Sequence, residues 1–293
     1  MRRLTIASLL LIATLVISVP TMLADTLSTT STVSSQYGPN CSNSGATASS
    51  CTGGSTVLFV SPRTDTVTFS GTASARASYG SLGTTAQALG TCNIPDSGVN
   101  CFLQDVGTSV GRASFTDVIH LSNAPSSGKL AFTFRTSGLN TVICTGASDG
   151  NVCSAGDVQS SLHAPGNAFT PEQSVPLSNG TNSVTIDIGY GAALGGSVPI
   201  EFDLSSSATC GQSDFTSCLD SSNFLDTAIV ANLSLFGPNG NLVPDAVFSA
   251  ASGTNYNALV ETTPPTETPE PSSLMMLGVG LLALAGLTLK KSL

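Results

Sequence analysis

The chain has 293 residues, a formal net charge of −9, 9% charged residues and no Trp. Five cations, Arg63, Arg76, Arg112, Lys129 and Arg135, lie outside the extreme termini. An acidic, lysine-poor surface excludes nucleic acid, whose binding needs basic patches, and argues against docking on anionic lipid.

The N-terminus reads as an export leader. Arg2-Arg3 forms a basic start, Leu4 to Val19 an apolar run, and Met22-Leu23-Ala24 ends at a candidate cleavage site. Residues 1–24 are therefore expected to be a signal peptide, with the mature chain beginning at Asp25. Residues 25–55 follow as a Ser/Thr-rich segment holding the first cysteine pair. Within it, Thr26 to Ser35 reads as disordered or as an edge strand.

Residues 56–260 read as all-β, a single β-sandwich of jelly-roll type. Short runs rich in Val, Ile, Thr and Phe alternate with Gly, Pro, Asn and Ser, with no helical period. The expected strands are Thr56–Val60, Asp65–Tyr79, Ala113–Leu121, Lys129–Thr136, Ser183–Gly189, Val198–Ser205, Ala228–Phe236 and Leu242–Phe248. Leu130, Phe132 and Phe134 alternate with smaller or polar residues, as do Val184, Ile186 and Ile188, so each run buries one face. Pro238-Asn239-Gly240-Asn241 reads as a hairpin with a type I′ turn at Asn-Gly.

Eight cysteines fall into four close pairs: Cys41/Cys51, Cys92/Cys101, Cys144/Cys153 and Cys210/Cys218. Eight cysteines allow 105 connectivities. The recurrence of short, turn-rich brackets favours sequential pairing, each bridge stapling one loop. Zinc is disfavoured, because its sites use closer cysteines with histidines nearby. The second and third brackets share a longer spacing, Cys92, Cys101, Asp105, Val106 against Cys144, Cys153, Asp157, Val158. Their flanks differ: strand after the first, loop from His163 to Pro171 after the second.

Candidate chemistry is sparse, and the expectation is a non-enzymatic body with no catalytic residue, cofactor or metal. Gly107-Thr108-Ser109-Val110-Gly111 matches a nucleophile elbow, but a strand is expected after it where that motif needs a helix. Gly189, Gly191, Gly195 and Gly196 have the wrong spacing for a dinucleotide loop and read as a turn. His120 and His163 read as structural or surface residues. Asp149, Asp157, Asp214, Asp220 and Asp226 are turn carboxylates that could hold calcium, though no calcium-loop motif is present. Tyr79, Tyr190 and Tyr256 are the residues on which a sugar-binding face would be built.

Residues 261–268, Glu-Thr-Thr-Pro-Pro-Thr-Glu-Thr, read as an extended linker. Then come Pro269-Glu270-Pro271, an uncharged run from Leu274 to Leu289, and Lys290-Lys291. The 16-residue run would be roughly 24 Å long as a helix, enough to cross a locally thinned bilayer. The lysine pair favours the cytoplasmic side, leaving the body outside. This three-part tail, residues 269–293, resembles the PEP-CTERM sorting signal of Gram-negative bacteria. The resemblance implies export, a membrane-anchored precursor, recognition by an exosortase, and delivery to the cell surface or an exopolysaccharide matrix. Two alternatives are a lectin-like carbohydrate-binding module and a secreted hydrolase.

Overall fold

The computed structural model describes residues 25–35, 40–59, 65–93, 107–145, 158–210 and 217–257. They form thirteen strands: β1 (Thr26–Ser35), β2 (Cys41–Gly45), β3 (Ala48–Phe59), β4 (Asp65–Ser78), β5 (Ser81–Asn93), β6 (Gly107–Ser122), β7 (Gly128–Thr145), β8 (Val158–Ala164), β9 (Gln173–Pro176), β10 (Gly180–Tyr190), β11 (Ser197–Cys210), β12 (Ser217–Phe236) and β13 (Val247–Ala250). The fold is all-β, with two antiparallel sheets. One runs β2-β1-β6-β11-β8-β9, with β13 also paired to β6; the other runs β10-β7-β12-β5-β4-β3.

From β5 to β12 the pairing is nested. β5 bonds β12, β6 bonds β11, β7 bonds β10 and β8 bonds β9. Strands β5, β7, β10 and β12 lie in one sheet and β6, β8, β9 and β11 in the other. The sheets pack face to face because their inner positions are small or apolar. β11 shows the rule: Val198, Ile200, Phe202, Leu204, Ser206, Ala208 and Cys210 are buried, while the residues between them are half-buried.

That same strand shows that the interior changes along its length, producing three zones. At one end a large core gathers Phe115, Phe132, Phe134, Phe202 and Phe224 with Leu, Ile and Val. Phe202 lies 5.5 Å from Phe115 and 4.9 Å from both Phe132 and Phe134, centroid to centroid. At the other end a smaller core holds Val33, Val67, Phe69, four alanines and the cysteines Cys51, Cys210 and Cys218. Between them lies a belt of buried hydroxyls. Thr84 and Ser206 meet at 2.6 Å, Ser160 lies 2.5 Å from Ser222, and Ser109 donates to the Gln87 carbonyl at 2.7 Å. Each partner offsets the desolvation cost of the other.

In the belt the sheets approach closely. A Cβ on Gly111 would stand 2.6 Å from the Ser74 carbonyl oxygen and 2.7 Å from that of Thr85, both in the facing sheet. Only glycine leaves the backbones room to approach so closely.

The strand expectations hold best in the aromatic zone and need correction elsewhere. Thr26–Ser35 is neither disordered nor an edge: it pairs with β6 along its whole length, with β2 on its other side. The segment from residue 25 to 55 thus enters both sheets. β2, β5, β8 and β9 had no expected counterpart, and His163 lies in β8 rather than in a loop. β12 begins at Ser217, eleven residues before the expected Ala228. Leu242–Phe248 is not a strand. Leu242 makes an isolated bridge to Phe236, and regular pairing resumes only at Val247. The turn before it is not type I′ either. Gly240 has positive φ (75°) and Asn239 does not, and the Gly240 amide donates to the Gly237 carbonyl at 2.9 Å. Proline at the second turn position followed by a left-handed glycine gives a type I turn with a bulge.

Candidate functional site

The two ends of the sandwich hold different groups. At the alanine end, Ser35, Gly107 and Cys210 align across one sheet, and Thr91, Ser217 and Thr145 across the other. Cys210, the last residue of β11, is bonded to Cys218 in β12, so this bridge joins the two sheets. Cys41 in β2 is bonded to Cys51 in β3 and joins them again at their margin. Cys144 is also disulfide-bonded. The side chain of Cys92, and all of Cys101 and Cys153, lie outside the described residues, and with them the pairings Cys92/Cys101 and Cys144/Cys153. Those two segments connect β5 to β6 and β7 to β8, both crossings from the same sheet to the other. The shared spacing therefore coincides with a shared structural position. Of the stretch expected as loop, His163 and Ala164 close β8, and residues 165–171 lie between β8 and β9 as expected.

At the aromatic end the dominant group is Asp117. It is 1% exposed and points into the sandwich from β6. Its carboxylate accepts hydrogen bonds from the Ser252 amide at 3.1 Å, the Ser252 hydroxyl at 2.5 Å, the Tyr256 hydroxyl at 2.7 Å and the Val118 amide at 2.8 Å. These four donors satisfy the buried oxygens, whose burial would otherwise carry a desolvation cost. Through them, the chain after β13 folds back into the open end of the sandwich. Tyr256 enters between the sheets, with its ring 6.3 Å from Phe115 and 6.0 Å from Phe132. Burial first, then the bond to Asp117, push its phenol far above the usual range. Asp117 was not among the candidate residues. The signal was present as a lone aspartate in an otherwise apolar or hydroxylic inner row, Ala113, Phe115, Asp117, Ile119.

The remaining candidates have mostly structural roles. Ser109 is fully buried as the third residue of β6, and strand rather than helix follows it to Ser122, so the nucleophile-elbow geometry is not met there. His120 does meet a serine, but a different one: its Nδ1 lies 2.9 Å from Ser197 Oγ. A serine nucleophile needs a base held by a third group, and among the described residues no carboxylate is hydrogen-bonded to the other ring nitrogen. His163 has both nitrogens engaged, with Nε2 3.0 Å from Glu172 and Nδ1 3.4 Å from Asp203. Burial, then Asp203, hold the neighbouring Glu201 above the usual carboxyl range, with His163 opposing. Tyr190 and Tyr256 are 3% and 4% exposed, and Tyr79 stands edge-on to Phe115. The rings of Tyr190 and Tyr256 are thus committed to the interior, while Tyr79 is half-buried.

Asp220 is buried on β12 beside Cys210 and Cys218. This is the one grouping of potential metal ligands among the described residues, and its two sulfurs are consumed by the disulfide. Asp149, Asp157, Asp214 and the side chain of Asp226 lie outside the described residues. So do the leader, the sorting tripeptide Pro269, Glu270 and Pro271, the run 274–289, and Lys290 and Lys291. No helix among the described residues is long and apolar enough to cross a membrane.

The described body is thus a disulfide-stapled two-sheet protein in which β1 pairs with β6 along its whole length and β13 pairs with β6 at the aromatic end. Residues 267–291 match the family model described as the PEP-CTERM protein-sorting motif. The chain therefore carries a PEP-CTERM sorting motif, which implies exosortase processing and an exported, membrane-anchored precursor. It matches no curated protein and no solved structure.

Proposed function

We propose that this chain is a non-enzymatic surface protein. Its leader exports it, its tail anchors it until an exosortase removes residues from about Pro269 onward, and its body is retained at the cell surface or in exopolysaccharide. The sorting motif at residues 267–291 carries this reading. The positions of the candidate chemical groups support it. Ser109 bonds a backbone carbonyl inside the hydroxyl belt, and both nitrogens of His163 are taken by carboxylates. The body is read as a jelly roll, supported by the nested pairing of β5 with β12 through β8 with β9. Disulfides suit it to an oxidising compartment outside the cytoplasm.

The test is deletion of residues 267–291 in the native host, with surface, matrix and medium fractions assayed. Loss of the protein from the surface and matrix is expected; unchanged retention overturns the reading. Mass spectrometry of the released protein should find a C-terminus near Pro269 to Pro271, and an intact Leu293 in that fraction overturns the processing step. A Ser109→Ala, His120→Ala or His163→Ala chain that folds and is delivered, but loses matrix association, would overturn the non-enzymatic assignment.

A further inference from the structure

The outer face of the sheet β10-β7-β12-β5-β4-β3 carries a pattern that packing between the sheets does not use. Residues directly opposed in antiparallel strands put their side chains on the same face. In register across β5, β12 and β7 stand Leu89, Leu219 and Ile143. Ala88, Cys218 and Asp220 beside them are buried between the sheets, whereas Leu89 is 39% and Ile143 49% exposed. Of the six exposed large apolar side chains among the described residues, three lie on this face: Leu89, Ile143 and Leu139. Apolar side chains gathered on one exposed face mark a contact surface.

Beside this apolar row, two residues along each strand, runs a polar one: Thr72, Gln87, Ser221 and Thr141, in register across β4, β5, β12 and β7. Elsewhere on the outer faces opposed hydroxyls bond one another. Ser74 meets Thr85 at 2.6 Å, Thr133 meets Thr185 at 3.2 Å and Ser161 meets Ser205 at 3.2 Å. The four side chains of the polar row have no hydrogen-bond partner among the described residues. Their donors and acceptors are therefore open to a ligand. The two rows and the row on either side of them contain no charged residue across these four strands, in a chain of net charge −9. They also contain no aromatic residue, Met or Arg, the residues in which contacts between proteins are enriched.

We propose that these two rows are the surface by which the body holds polysaccharide, and that the chain they take is a neutral one lying across the strands. A sugar ring presents C–H bonds on its face and hydroxyls around its rim. Its face then rests on Leu89, Leu219 and Ile143, and its rim hydroxyls bond Gln87, Ser221 and Thr141. Strands lie about 4.8 Å apart, so four strands span about 14 Å, which suits a short run of rings in an extended chain. An acidic polysaccharide finds no cation in these rows to offset its charge. Aliphatic contacts without an aromatic platform make each site weak, and a polymer that offers many sites to many copies of the protein supplies the avidity. The inference rests on the reading of the body as retained in exopolysaccharide and names the surface and the sugar class.

The experiment uses protein purified in detergent from the native host, with or without its tail, and the host's exopolysaccharide separated by anion exchange into neutral and acidic fractions. Cosedimentation with the neutral fraction is expected, and it should be the same at low and high salt because no charge takes part. Capture by the acidic fraction instead, or loss at high salt, overturns the proposal. The double change Leu89→Thr and Ile143→Thr keeps strand-forming residues and should lower binding about fivefold, the loss of part of two apolar contacts. Gln87→Ala removes a side chain with no partner in the fold and should also weaken binding, at an unchanged thermal midpoint. Unchanged binding in both variants overturns the proposal. Arg112→Ala, on the outer face of the other sheet, should bind as the unaltered protein does, and a loss there moves the site and overturns it. A dimer seen without polysaccharide and abolished by the Leu89/Ile143 change would make the face a contact between copies, which also overturns it. Failure to bind leaves sorting at residues 267–291 standing, and retention after deletion of those residues leaves a binding result standing.

Discussion

One sandwich here has two ends held together by different means. The aromatic end buries five phenylalanines, Phe202 among them, and Tyr256. Each fully buried large side chain contributes about 1.5–3 kcal/mol, so packing alone can hold the sheets together there. The other end is a smaller interior, filled with Ala, Val, Cys and the single ring of Phe69. It has little apolar area to bury, and covalent bridges supply what packing cannot. The Cys210–Cys218 bond joins the sheets at that end, and the Cys41–Cys51 bond joins them at the margin. The contrast teaches that a small interior and a set of disulfides are one design, each accounting for the other.

The comparison can be broken first at its larger core. Phe202→Ala should cost about 3–5 kcal/mol, because it leaves a cavity touching three other rings. Chemical denaturation checks this, and a loss below 1 kcal/mol would mean that the aromatic end is not held by packing. Removing the Cys210–Cys218 bridge with a double Cys→Ala change should cost about 2–3 kcal/mol. Its signature is local: amide exchange should accelerate around Cys210, Ser217 and Thr91 and stay unchanged around Phe202. Uniform acceleration would show that the two ends unfold as one unit.

Tyr256→Phe keeps the ring but removes a hydrogen bond to a buried carboxylate. About 1–3 kcal/mol should be lost, seen as a lower thermal midpoint. No change would mean that Ser252 alone holds the plug. The smallest effect belongs to the outer face. Glu201 sits with its carboxyl raised by burial and by Asp203. A group raised in this way stabilises the fold at low pH and weakens it as pH rises through the folded value. Glu201→Gln should therefore raise stability at pH 7, by a few tenths of a kcal/mol for so exposed a site. A measurable fall would place Glu201 in a bond that matters.

Sequence reading found strands where inner residues are bulky and lost them where inner residues are small. Leu130, Phe132, Phe134, Ile186 and Ile188 announce their faces by alternation, and all five are buried. β5 alternates just as regularly in space, with Leu82, Thr84, Ala86 and Ala88 buried. Its small inner residues look like turn composition when read along the chain. β1 and the first half of β12 were obscured in the same way by serine and threonine. The cysteine brackets were legible as pairs, and the two whose bonds are described join successive strands as the spacing indicates.

By itself the sequence determined the address and the class. The sorting motif is a contiguous run recognised as a string, and strand composition with turn residues is enough to indicate an all-β body. Only the tertiary structure decided which buried polar groups matter. Asp117 gains its role from Ser252 and Tyr256, more than 130 residues away along the chain. Ser197 and His120 meet only because β6 and β11 pair. A motif can be read when its parts are neighbours in sequence. A carboxylate clasp or a hydroxyl belt depends on register between distant strands, and the packing of the two sheets sets that register.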